Sequence, residues 1–276
     1  MPIIGCDLVL KPKTKMFRYF LHISFQGTLY SGWQSQENSN TVQNELDTRL
    51  SQLFSATVQS IGCGRTDSGV HASNFYLHFD APKEFKTDDL QFKLNKMLPA
   101  DIVIHSASIV SPAFHARFDA ISRTYHYFIS KKKDPFLNNL VWHYHQPLQI
   151  ERMNTALQIV KEYRDFSSFS KSNTQVKTNN CEIFELAWIE TPSHYVFNIK
   201  ANRFLRNMVR AIVGTSLQIG LGKLNQEDLR GIIEAKDRRK ASESVPGCGL
   251  YLTSVQYPEE LLKGIVGKEN ALPFYS

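Results

Sequence analysis

The chain has 276 residues, 42% of them apolar, and its 32 basic side chains outnumber the 26 acidic ones for a formal net charge of +6. That length suits one large or two modest domains, and the composition is that of a soluble globular protein with a mild bias toward a polyanionic partner. No apolar run approaches the about 18 residues of a membrane span, and Cys6, Cys63, Cys181 and Cys248 form no C-x-x-C pair or Cys/His cluster, so no membrane anchor and no metal site are expected, and free thiols suit a cytoplasmic location.

The first sixteen residues carry three lysines and no apolar core with a cleavage site, and are expected to be a cytosolic tail. Arg18 to Phe25 alternates as a strand does. Gln26 to Gln34 is a glycine-punctuated loop whose Trp33 is expected to pack. Thr41 is placed to cap a helix with Val42, Leu46, Leu50 and Leu53 on its buried side. A short strand, Thr57 to Ile61, then leads into Gly62-Cys63-Gly64-Arg65-Thr66-Asp67-Ser68-Gly69-Val70-His71-Ala72, and Phe75 to Phe79 leads out as another strand. Gly62, Gly64 and Gly69 permit backbone angles and close approaches that a Cβ blocks. Asp67 is expected at the tip of a tight loop with Arg65 two residues away, and a cationic neighbour keeps a carboxylate ionised, as a nucleophile or base requires. Taken alone, the same residues also suit a plain turn in which Asp67 bonds its own backbone. Thr87 or Asp88 is placed to cap a helix to about Met97, and Asp101 to Ile104 starts a strand. The resulting βαββαβ order predicts a ferredoxin-like unit with helices on one face of an antiparallel sheet.

In Phe114 to Tyr127, the cations Arg117 and Arg123 and the histidines His115 and His126 are interleaved with aromatics. Such a pattern suits phosphate holding with base stacking, and equally a half-buried strand with Tyr125 and Tyr127 on a common face. Ile150 to about Tyr163 has a helical period. Ser170 to Asn180 is polar, contains Lys171 and Lys177, and is expected to be a mobile loop that orders on RNA. Ile183 to Glu190 pairs with Tyr195 to Lys200. From Asn202 to Gly214 and beyond, Leu205, Met208, Val209, Ile212 and Leu217 share one helical face, with Arg203, Arg206 and Arg210 along its side. A short helix from Asn225 or Gln226 to Ala235 and a strand after Gly249 complete the pattern.

The segment G-x-G-R-T-D-x-G-V-H-A at Gly62 to Ala72 resembles the active-site signature of TruA-type tRNA pseudouridine synthases. F-H-A-R-F-x-A-x-x-R-x-Y-x-Y at Phe114 to Tyr127 and F-x-x-x-M-V-R-x-I-V-G at Phe204 to Gly214 resemble the family's other motifs, and the likeness runs from about Phe25 to Leu252. The resemblance implies that Asp67 is the catalytic group, that Arg210 pairs with it, and that Tyr125 and Leu250 lie against the target base. Arg65 is then a candidate for taking the base out of its stack, and Arg117, Arg123, Lys171, Lys177, Arg203 and Arg206 for phosphate contacts. The implied architecture is α+β, with two ferredoxin-like or RRM-like halves (17–111 and 112–264, between tails 1–16 and 265–276) forming a largely antiparallel sheet with an RNA-binding cleft between them. The implied activity is isomerisation of uridine to pseudouridine at positions 38 to 40 of the tRNA anticodon arm, by a homodimer needing neither cofactor nor metal. The chain departs from the family at Phe25-Gln26, where Tyr-Asp is usual, and at Cys181, where an arginine is common. Two other readings compete: a non-catalytic RNA-binding protein on the same scaffold, and a hydrolase using Asp67 and His71 as acid and base.

Overall fold

The computed structural model describes residues 15–171, 177–262, 265, 270–272 and 274. The alternating run at its start forms β1 (Phe17–Phe25), which buries Tyr19, Leu21 and Ile23 on one face and Phe20 and His22 on the other. Eight further strands join it in one sheet: β2 (Ser60–Gly62), β3 (His71–Ala81), β4 (Ile102–Val110), β5 (Ser122–Ser130), β6 (Trp142–His143), β7 (Ile183–Glu190), β8 (His194–Ala201) and β9 (Leu250–Gln256). The order is β4-β1-β3-β9-β5-β8-β7, with β2 also on β3 and β6 on β5.

Each half repeats one topology. The first runs β4-β1-β3-β2 and the second β9-β5-β8-β7, both the ferredoxin-like order and both antiparallel. Strand β2 is short and pairs only with the far end of β3, at Leu77 to Phe79. That leaves the first residues of β3 free to accept β9. The halves meet there through two parallel residue pairs, His71↔Tyr251 and Ala72↔Leu252. A register shift between β1 and β3, with Ile23 opposite Phe75 but Phe25 opposite Ala72, returns Ala72 to the face of Phe75.

The helices are α1 (Val42–Phe54), α2 (Thr87–Met97), α3 (Ile150–Leu157), α4 (Met208–Gly220), α5 (Gln226–Glu234) and α6 (Glu259–Leu262). Among the described residues none is long and apolar enough to cross a membrane. Thr41 caps α1 by accepting from the Asn44 N–H, and Asn225 with Asp228 forms a reciprocal cap on α5. Phe54 of α1 leans on the stacked Tyr19 and Phe79 rings of the sheet. Across the other face runs the end of the chain. Asn270 donates its N–H to Asn74 Oδ1 and accepts from Asn74 Nδ2, while Leu272 and Phe274 pack on Phe128, Val141, Val196 and Tyr251.

The periodicity misplaces three boundaries. Helix α2 begins after Lys86, whose side chain makes no cap, so Thr87 is already inside the helix. Helix α3 ends at Leu157 and the chain tightens into a 3-10 turn, Gln158–Glu162. The third difference bears on function. Helix α4 starts only at Met208 because Asn207 is left-handed (φ 68°), its side chain held by Ser244. Arg203 and Arg206 therefore lie in the irregular stretch before the helix, not in a stripe with Arg210. Of the expected mobile loop, residues 172–176 lie outside the described residues, as do residues 1–14 of the N-terminal tail.

Burial pushes His22, His71 and His78 down to about 4. A histidine lowered in the folded state leaves the unfolded chain holding more protons between about pH 4 and the ordinary 6.5. Stability should therefore fall as pH drops through that window. Asp47, raised by burial to about 6, opposes this as a single group. The urea midpoint at pH 5 should lie clearly below that at pH 7.

Candidate active site

The loop between β2 and β3 is gripped by backbone from both halves. Below it, Tyr30 O accepts from Gly69 N at 3.2 Å and Trp33 N donates to Thr66 O at 3.4 Å. A Cβ on Gly27 would fall 2.0 Å from Val70 O, and one on Gly32 2.2 Å from Thr66 O, with Gly32 at φ +94°. From the second half, a Cβ on Gly247 would fall 2.4 Å from Ser68 O. Glycine is required at these contacts because any side chain would push the loop away. Gly64 differs from expectation, since nothing lies within 4 Å of the place its Cβ would take. Trp33 is buried against Phe75, with ring centroids 4.2 Å apart, and packs as expected.

Asp67 is four-fifths covered, its side chain 19% exposed. Arg210 Nη1 stands 3.4 Å from Oδ2, and Arg206 Nε 3.9 Å from Oδ1. Arg210 occupies the first turn of α4, and its Nε donates to Val245 O at 2.7 Å, which fixes the guanidinium before any ligand arrives. Arg65 is close in sequence but turns elsewhere, its Nε donating to Gln34 Oε1. The cation beside Asp67 therefore comes from 143 residues away, in the other half.

Tyr125 and Leu250 line the same part of the sheet. Tyr125 stands opposite Leu252, and Leu250 opposite Tyr127, so all four share one face. The Tyr125 ring meets Phe204 edge-on at 5.2 Å. Burial raises its hydroxyl pKa, helped by Cys63 and Asp67 nearby. Among the described residues, that hydroxyl bonds neither Asp67 nor Arg210. Cys63, fully buried, is pushed up to about 11 by burial.

The other arginines divide sharply. Arg123 spends both terminal nitrogens on carbonyls, Ala120 and Asn202 for Nη1 and Cys63 and Arg117 for Nη2. It clamps backbone, and its donors are not turned outward to a phosphate. Arg117, Arg206, Arg65 and Lys177 are exposed. The Arg117 pKa is lowered by burial and then by repulsion from Arg65, Arg123 and Arg203, so cationic charge is crowded here. His71 has no free nitrogen. Its Nδ1 accepts from Gly27 N at 3.0 Å, which leaves Nε2 to donate to Cys248 O at 3.1 Å. The imidazole ties three segments together and stacks on Tyr251. An acid–base partnership of His71 with Asp67 finds no support in that geometry. Arg206 as a partner of Asp67 was hidden from the sequence, because helical spacing puts it on the side of a helix that does not extend so far.

Residues 22–119 and 163–258 match the family described as tRNA pseudouridine synthase. Asp67, Arg206, Arg210 and Leu250 lie in the matched stretches, and Arg123 and Tyr125 between them. The chain is 49% identical over 249 residues to the tRNA pseudouridine synthase A of Parabacteroides distasonis, covering 89% of this chain and 98% of the relative. It is 47% identical over 250 residues to that of Porphyromonas gingivalis, covering 89% and 99%. Against that of Bacillus subtilis the identity is 38% over 239 residues, covering 85% and 97%.

The two glycines offer a contrast. Gly32→Ala should cost about 1–3 kcal/mol, the scale of a strained backbone, and lower the melting temperature. Gly64→Ala should leave melting near wild type. Calorimetry of the two variants checks the difference.

Proposed function

The chain belongs to the tRNA pseudouridine synthase family, and we propose that it isomerises uridine to pseudouridine in the anticodon arm of tRNA, at positions 38 to 40, with Asp67 as the catalytic group. The observation that carries this reading is the Asp67–Arg210 pair, 3.4 Å apart and drawn from opposite halves of the fold. A module that only binds RNA has no need of a carboxylate, which repels phosphate. Here one stands beside a guanidinium already fixed by Val245.

The reaction breaks the C–N glycosidic bond, turns the uracil, and rejoins it to the sugar through carbon. The proton that leaves the carbon is matched by one gained at the freed ring nitrogen, so nothing is oxidised or reduced, and the reading calls for no cofactor or metal. Asp67 acts next to the sugar and base as nucleophile or base. Arg210 holds its carboxylate aligned. Tyr125 and Leu250 supply the wall against which the extruded base rests, and Arg65 enters the gap that the base leaves. Arg117, Arg203, Arg206 and Lys177 meet phosphates, which positions RNA by shape without reading its sequence. Arg123 serves the same surface indirectly, by holding the loops that carry Cys63 and Arg117. The reading includes a homodimer working in the cytoplasm, with the two halves, divided near residue 111, flanking the RNA.

Asp67→Asn is nearly isosteric and tests the assignment. Pseudouridine in tRNA should drop below detection, while tRNA affinity stays within about tenfold, or roughly 1.4 kcal/mol. A folded, tRNA-binding Asp67→Asn protein that still makes pseudouridine near the wild-type rate would remove Asp67 from this role. Affinity should also fall steeply with salt, because each cation that meets a phosphate releases counterions. Arg206→Ala should flatten that slope and weaken binding alike for tRNAs of different sequence, as a filter-binding series across ionic strength would read directly.

A further inference from the structure

Phe118 is 75% exposed, an unusual place for a large aromatic, yet the turn that carries it is firmly built. His115 Nδ1 accepts from the N–H groups of Arg117 and Phe118, and the His115 N–H donates to Asp119 Oδ2 at 2.7 Å. The Ala116 N–H donates to His78 Nδ1, and the Ala116 carbonyl accepts from the Tyr257 hydroxyl at 2.6 Å. The His115 ring stacks on Phe118 with centroids 4.2 Å apart. The turn is also bolted to the catalytic loop, because one nitrogen of Arg123 bonds both Arg117 O at 2.6 Å and Cys63 O at 2.9 Å. Phe118 thus holds a fixed place one guanidinium away from the residues that lead to Asp67. The Arg117 guanidinium lies 5.9 Å from its ring, and among the described residues it has no acidic partner.

We propose that Phe118 and Arg117 form a subsite for a nucleotide flanking the target uridine, the base stacking on Phe118 and its phosphate meeting Arg117. The proposal rests on the RNA-modifying reading given above and adds to it the neighbour that must be held when the target leaves its stack. A flat ring accepts any base, and a guanidinium accepts any phosphate. The subsite fixes register along the strand and does not choose among sequences. Crowding of cations around Arg117 favours an anion at this place, and an apolar protein partner would leave that charge unanswered.

The test uses the full chain and an anticodon stem–loop RNA. Phe118→Ala should raise KM about tenfold, within the range of base–aromatic stacking, with kcat kept. Phe118→Trp should keep the wild-type KM, and its added indole emission should be quenched on RNA binding. Phe118→Leu, similar in apolar bulk but not flat, should behave as Ala does. An unchanged KM in Phe118→Ala, or rescue by Leu as good as by Trp, overturns the stack. The same Trp quenching is read in an Asp67→Asn background, where no turnover occurs. A subsite can therefore fail while pseudouridine is still made, and quenching can persist if the catalytic assignment fails.

Discussion

The pairing of Asp67 with Arg210 sets the terms for the whole architecture. The carboxylate stands on a loop of the first half and the guanidinium on a helix of the second, and each side chain is about four-fifths covered. Removing one partner while the halves stay together would leave the other charge part-buried and uncompensated, which is costly. The sheet alone would not prevent separation of the halves, because only two residue pairs join β3 to β9. The seam is also held by one buried apolar cluster that spans both halves and by polar groups that touch both sides. His71 bridges Gly27 and Cys248, Asn74 donates to Thr253 O, and the end of the chain pairs with Asn74 before packing on Phe128 and Tyr251.

Positioning at this level is achieved mostly by backbone. Gly27, Gly32 and Gly247 bring carbonyls and N–H groups within reach of the loop, and a Cβ at any of them would collide with a main-chain oxygen. Backbone-to-backbone contact has little freedom to relax, so the loop is aligned with few side-chain rotamers to freeze. Against this background Gly64 stands out, flanked by Cys63 and Arg65 and confronted by no protein atom within 4 Å.

Much of this was legible in the chain. Strand alternation, the cap at Thr41 and the helix start at Asn225 or Gln226 gave the element order, and the signature Gly62 to Ala72 pointed to Asp67 as the group to watch. What stayed hidden was set by long-range contacts. By sequence distance Arg65 looked like a partner of Asp67, but it turns to Gln34; the resemblance already pointed to Arg210, and only the fold adds Arg206. Helical spacing ran on through Asn202 to Asn207, because one left-handed asparagine held by Ser244 leaves no trace in an apolar pattern. The C-terminal residues carried no period at all, and their docking depends on a sheet face assembled from both halves.

The arginines illustrate the same separation of local signal from tertiary use. In sequence, Arg117, Arg123, Arg203 and Arg206 are equivalent cations beside the motifs, apart from Arg65 and Arg210, which the resemblance singles out. In the fold they differ by what already occupies their donors. Arg123 is saturated by four carbonyls and has become part of the scaffold. Arg210 divides its donors between a carbonyl and the Asp67 carboxylate. Arg117 is exposed and repelled by its neighbours, which leaves its charge to be satisfied from outside. A guanidinium does not lose its proton in a protein, so one that the fold leaves unanswered must find its anion in solvent or substrate. Arg117 has no acidic partner among the described residues and adjoins the exposed Phe118 ring, which is why the proposed meeting with a polyanion is centred there.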